Sequence, residues 1–253
     1  MLQQILPVET FAFLLVFCRV GASLMLVPGI GEVYVAAPIR LVLALAVSFL
    51  IAPFVVAGLP PLPADGIGVF LLIANETLIG LFIGGVARLA ISALHAAGTV
   101  IAFQSSLGFS TFYDPTQGAQ SALIATFFSM LGVMLIFAAD LHLLMLRATV
   151  DSYVLFPARA LPPLGEFAML AAGFVAGAFK LGIQVAAPFL VYGIVFNIGL
   201  GAVNRLMPSM QVLFVAMPLQ ILLAFVLLTF SVGAAMIWFL EYYEGAASAL
   251  LAR

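Results

Sequence analysis

The sequence predicts an all-α polytopic integral membrane protein, and three observations carry that prediction. Of 253 residues, 66% are hydrophobic and only 7% are charged, against about 25% charged in an ordinary soluble domain. There are too few polar side chains to clothe a water-facing surface, so the solvent must be lipid or other apolar protein. Apolar stretches also recur along the whole length, each closed by helix breakers. At about 20 residues per crossing, the chain has room for five to seven spans and none for a sizeable soluble domain.

Six hydrophobic helical segments follow in order. The first is Phe11 to Val27. Met1 to Glu9 before it holds no Lys or Arg, so it lacks the positive region of a cleavable signal and the segment is expected to stay in the mature protein. Pro28-Gly29-Ile30-Gly31 closes it. Leu41 to Val56 comes second and ends at Gly58-Leu59-Pro60-Pro61-Leu62-Pro63. Ile67 to Leu94 is third, with Phe112-Tyr113-Asp114-Pro115 separating it from Leu123 to Leu146. Leu161-Pro162-Pro163 precedes Phe167 to Phe196, and Met207-Pro208 precedes Val212 to Leu240. Glycine and proline clusters of this kind stop a helix because they free the backbone or remove its donor. Leu206 to Leu240 is 35 residues without a charge, longer than a bilayer needs, and Pro208 and Pro218 lie within it. Several of the helices are therefore expected to be broken or kinked.

Charge excludes some functions and leaves orientation open. A net charge of −2 offers no basic stripe for a phosphate backbone, so nucleic-acid binding has no electrostatic support. If all six segments cross, Arg147, Arg159 and Arg253 fall on the side of the amino terminus and Arg40, Arg88 and Arg205 opposite, a tie. Arg19 and Lys180 lie inside apolar segments, where a charge costs about 3 kcal/mol at the bilayer centre and normally faces protein or water. Much of the apolar surface is accordingly expected to meet partner subunits.

Catalytic chemistry finds little to work with. The lone Cys18 rules out an intrachain disulfide. Asp140 and His142 are two apart and so point from different helix faces, and no HExxH, GxSxG or P-loop pattern occurs. Neither an enzyme nor a metal or cofactor is expected. The intramembrane polar residues Asn75-Glu76, Gln104, Asn197 and Asn204-Arg205 are candidates for function by default, the alternative for Glu76, Arg88 and Arg205 being a place at a helix end near water. Gly80 with Gly84, and Gly173 with Gly177, each put two small residues on one helix face for close helix contact.

The most distinctive stretch is Gln104-Ser105-Ser106-Leu107-Gly108-Phe109-Ser110-Thr111-Phe112-Tyr113-Asp114-Pro115. Glycine, hydroxyls, aromatics and a proline turn fit poorly with a lipid-facing helix, and non-helical backbone at membrane depth must line a cavity or be buried in protein. Aromatic rings there could block water and ions until displaced. An interfacial turn with aromatic anchors is the plainer alternative.

Several stretches together resemble one family. Arg19 with Pro28, Pro38-Ile39-Arg40-Leu41, Glu76-Thr77-Leu78-Ile79-Gly80, Ala97-Gly98 leading through Gln104 to Pro115, Asp140-Leu141-His142-Leu143 and Asn204-Arg205-Leu206-Met207-Pro208 through Leu219 look, in order, like the flagellar biosynthetic protein FliR family. Ser106 stands where the family often has glycine. The resemblance implies a non-enzymatic pore subunit of the flagellar type III export gate in the bacterial inner membrane, at the flagellar basal body. Its implied partners are FliP-like and FliQ-like subunits, other membrane proteins of the export apparatus, membrane lipid, and an unfolded protein substrate. It implies a FliP-like part over residues 1–160 and a FliQ-like part over 161–253, packed as hairpins in a hetero-oligomer. Gln104, Leu107, Phe109, Phe112, Tyr113, Asp114 and Pro115 would form the gate or plug loop. Arg19, Arg40, Glu76, Gly80, Gly84, Lys180, Asn204, Arg205 and Pro208 would make packing or polar contacts. A secondary transporter is the competing reading, with Pro188, Pro208 and Pro218 marking discontinuous helices around a midplane site.

Overall fold

The computed structural model describes residues 2–107, 123–158, 164–207 and 212–251. Its elements are α1 (Leu2–Leu26), α2 (Ala37–Val55) with a single 3₁₀ turn after it at Val56–Gly58, α3 (Gly66–Gln104), α4 (Leu123–Ala138), α5 (Leu141–Leu155), α6 (Leu164–Leu206) and α7 (Val212–Ser248). Five helices are long and apolar enough to cross a membrane, and six spans result if α4 and α5 count as one. Five of the six expected segments each find their helix, and the fourth, Leu123 to Leu146, runs from α4 across a break into α5.

Where the helices break differs from expectation, and the reason is local. Pro188 lies inside α6 and Pro218 inside α7 without ending either. The break falls between α4 and α5, where the chain bends by 74° and Asp140 takes a left-handed conformation at φ 56°. Asp tolerates that region better than most residues because its short side chain is polar. Beside the break the rings of Phe137 and His142 stack with centroids 4.8 Å apart. Phe137 also covers Gly29, whose φ of +87° and lack of a side chain let the ring sit where a Cβ would be. Continuous α6 and α7 remove two of the three discontinuities on which the transporter reading relied; Pro208 lies outside the described residues.

The chain forms two compact units, 1–89 with 136–176 and 243–253, and 90–135 with 177–242. In the first, α1 supplies the central row: Phe11, Leu15, Val16, Val20 and Leu24 are buried against Ala44, Ile51 and Val55 of α2, with Leu59 and Ala158 at the edge. The spacing of those α1 positions is that of one helix face. Phe82, Phe156 and Phe167 form an aromatic group in the same unit, their centroids 4.2 to 6.4 Å apart. In the second unit Leu94, Ile101, Phe128, Leu181, Phe189 and Phe239 are buried. Gly98 lets the backbone of Ala125 come close, and Gly132 makes room for Leu94 and Ile91.

Candidate functional site

The first unit is organised around a buried charge. Arg19 on α1 and Glu76 on α3 are both fully buried, and they meet in a two-bond fork: Nε donates to Oε2 at 2.7 Å and Nη2 to Oε1 at 2.8 Å. Nη1 donates to the Ser152 hydroxyl at 3.1 Å and Nη2 to the Phe156 carbonyl at 3.0 Å. The guanidinium also lies 4.0 Å from the centre of the Tyr153 ring. Phe156 caps the carboxyl end of α5, where unpaired carbonyls favour a cation. One guanidinium thus joins α1, α3 and the end of α5, and a hydrogen bond of 3.2 Å between the Ser23 and Thr149 hydroxyls adds to that link one turn along α1. Sharing the paired, planar geometry that arginine and carboxylate favour, the group is a structural clamp with its charge neutralised.

Gly80 and Gly84 explain how α3 comes close enough. A side chain on Gly80 would run into the Arg19 carbonyl and the Ala22 methyl, and one on Gly84 into the Ser23 carbonyl and Leu26. The small pair is a contact between helices of the same chain. In the other glycine pair, Gly177 packs on Tyr242 while Gly173 faces open space.

The second unit holds a polar clasp at the end of α3. Ser106 is in the left-handed region at φ 59°, which glycine enters without the penalty that a Cβ brings. Its hydroxyl donates to Gln220 Oε1 at 2.7 Å, Gln220 Nε2 donates to the Gln104 carbonyl at 2.8 Å, and the Tyr192 hydroxyl donates to the Gln220 carbonyl at 2.8 Å. Gly193 is small where the Gln104 side chain lies against α6. Gln220 is buried, so each of these bonds satisfies a group that would otherwise be costly. The clasp fixes the backbone just before residues 108–122.

The remaining expected residues are distributed as follows. Leu107 is half-buried at the end of the described stretch, while Phe109, Phe112, Tyr113, Asp114, Pro115 and Pro208 lie outside the described residues. Glu76 is no helix-end residue: burial and the Arg19 fork place it in the interior. Arg88 pairs with Glu32 at 2.5 Å in a partly exposed ion pair. Arg40 is half-buried, and its Nε has no hydrogen-bond partner among the described residues. Asn204 and Arg205 are exposed at the end of α6, where Arg205 suits the carboxyl terminus of a helix. Lys180 is exposed on the chain's surface, unlike Arg19. Among the described residues no group of three or more His, Cys, Asp or Glu could hold a metal.

Sequence reasoning missed Ser152, Tyr153, Gln220 and Tyr192. A signal existed for Gln220, the single amide of the charge-free apolar segment Val212 to Leu240. Ser152 and Tyr153 gave none, because only the close of α5 on α1 brings them to Arg19.

A profile of the family described as "Bacterial export proteins, family 1" matches residues 10–246. The chain is 42% identical to the flagellar biosynthetic protein FliR of Caulobacter vibrioides, over 93% of this chain and 94% of the relative. It is 30% identical to the FliR proteins of Bacillus subtilis and Escherichia coli, covering 86% and 80% of this chain and 84% and 77% of those proteins. With matches of that extent, running through the Arg19–Glu76 clamp and the Gln104–Gln220 clasp alike, the chain belongs to the bacterial export proteins of family 1, among the flagellar biosynthetic proteins FliR.

Proposed function

We propose that the chain is a structural pore subunit of the flagellar protein export gate in the bacterial inner membrane, at the basal body. It assembles there with FliP-like and FliQ-like subunits, residues 1–160 taking the FliP-like role and 161–253 the FliQ-like role, and unfolded flagellar subunits pass through the assembly. Residues 104–115 contribute a plug whose Phe109 and Phe112 rings hold water and ions back until a chain displaces them. Family membership supplies the export context. The observation that carries the assembly is helix length. The apolar span of α6 runs 40 residues, about 60 Å at 1.5 Å per residue. Lipid about 30 Å thick covers it only at a tilt of about 60°, beyond the range that membrane helices adopt. That length supports a reading in which protein partners cover much of its surface.

The test is to express the chain with FliP-like and FliQ-like subunits from the same genome and purify through a tag on this chain. One stable complex is expected, and a well-behaved monomer alone would refute the assembly. Within that complex Phe109→Ala with Phe112→Ala should raise ion conductance while complex recovery is kept. Unchanged conductance in fully assembled material would reject the plug.

A further inference from the structure

Two cations lie within the apolar spans, and the fold treats them in opposite ways. Arg19 is buried and its charge is matched by Glu76. Lys180, the only lysine of the chain, is exposed on α6 and makes no hydrogen bond or ion pair among the described residues. Glu241 on α7 is exposed as well and does not pair with it.

The surroundings of Lys180 leave neither lipid nor the water beyond the ends of the row as an easy answer. Met169, Val191 and Ile198 are exposed at 70, 63 and 68% and share its helix face, since they stand 11 residues before it and 11 and 18 after it. Phe179 and Ile183 flank it, also exposed. The apolar row from Met169 to Ile198 is about 44 Å long, with Lys180 about 16 Å from one end and about 27 Å from the other. A lysine stem carries its ammonium only a few ångströms toward water, so no rotamer reaches past either end. Covering the row with hydrocarbon requires a tilt of about 47°, again beyond the usual range. The face needs a protein cover, and that cover must neutralise a cation.

We propose that the α6 face centred on Lys180 is a subunit interface, occupied by an apolar helix of a partner membrane subunit that sets a carboxylate against the Lys180 ammonium. Gln184, exposed one turn further along the same face, offers its amide N–H to the same carboxylate. The partner is thus defined by its chemistry: a membrane helix, apolar along about 44 Å, with one Asp or Glu near the depth of Lys180. Recognition is specific because a helix without that acid would leave the ammonium unpaired in an apolar contact.

The inference rests on the proposed assembly, and the test separates the two. In the purified complex a membrane-permeant carbodiimide activates carboxylic acids, and an amine in contact displaces the activated oxygen to form an amide, releasing a urea. Lys180 is the only lysine here, so mass spectrometry of this chain reads that amine directly. An amide from Lys180 to an Asp or Glu of another subunit is expected. An amide to Glu241 of the same chain, or free acylation of Lys180 by a water-soluble active ester, which loses its alcohol leaving group, in the intact complex, overturns the interface while the assembly stands. An anionic lipid retained at Lys180 in place of the crosslink overturns it equally. Failure to recover any complex refutes the assembly itself. Lys180→Glu should lower complex recovery about tenfold, as a like-charge contact does, and Lys180→Arg should keep it. Lys180→Met, which suits lipid or an apolar partner, should fall between; recovery above the parent level would overturn the interface.

Discussion

Arg19 and Glu76, 57 residues apart in the sequence, hold each other through two hydrogen bonds of 2.7 and 2.8 Å where neither touches solvent. Such a pair is uneven in its energetics. Removing one partner strands a charge and costs about 3–5 kcal/mol, whereas replacing both by apolar groups is often neutral. Glu76→Met and Arg19→Met should therefore each lower the thermal stability of the purified complex sharply. The double substitution should recover much of the loss. A double variant as unstable as the sum of the singles would show that Arg19 acts through Ser152, Phe156 and Tyr153 more than through Glu76.

The Arg88–Glu32 pair sets the opposite limit. Arg88 is 40% exposed, so solvent and salt screen the attraction and an exposed pair contributes about 0–1 kcal/mol. Glu32→Gln should shift the melting temperature little, and less at high salt than at low. A loss matching that of Glu76→Met would mean the pair is shielded in the assembly.

Three glycines within one and a half turns of α3 separate packing from propensity. Gly80 and Gly84 lie against the α1 backbone, while Gly85 has open space where a Cβ would stand. Gly80→Ala and Gly84→Ala should each destabilise by about 1–3 kcal/mol through overpacking. Gly85→Ala should stabilise by up to about 1 kcal/mol, since alanine is the better helix former. Thermal unfolding of the three variants side by side checks the order, and a destabilising Gly85→Ala would place a partner subunit on that face.

These contrasts mark what the sequence could and could not disclose. Apolar run length and proline–glycine punctuation located the five long apolar helices and the region of the bent α4–α5 pair, because lipid solvation forces both on any helical membrane chain. They misplaced the discontinuity. Pro188 and Pro218 are absorbed within long helices, whereas Asp140, with no proline nearby, takes the left-handed turn that bends the chain. Intramembrane charge drew attention to Arg19 and Glu76, yet nothing in a linear pattern says that two charges 57 residues apart meet while Lys180 goes unmatched. That distinction is tertiary. The departure at Ser106 was visible against the family's glycine, but its meaning needed the backbone: the position has positive φ, which is the reason a glycine suits it.

The clasp on Gln220 gives the last prediction, in which backbone and hydrogen bond can be weighed against each other. Ser106 at φ 59° bears a penalty of about 1–2 kcal/mol for a left-handed residue with a Cβ. Its hydroxyl gains a hydrogen bond to Gln220 at 2.7 Å, with a net value of about 1 kcal/mol. Ser106→Gly loses the bond and relieves the backbone, so the two changes offset and stability should stay within about 1 kcal/mol of the parent. Ser106→Val forfeits the bond and puts a β-branched residue where it is most strained. Gln220→Leu leaves the half-buried Gln104 carbonyl and the buried Ser106 hydroxyl without their partner, at about 1–3 kcal/mol for a stranded buried group. Hydrogen exchange at the amides of Ser105, Ser106 and Leu107 reads the clasp directly. Ser106→Gly should exchange close to the parent, and Ser106→Val and Gln220→Leu much faster. If the proposed plug hangs from this clasp, ion conductance of the assembled complex should follow the same order. Fast exchange with unchanged conductance would keep the clasp as a local anchor and detach it from sealing.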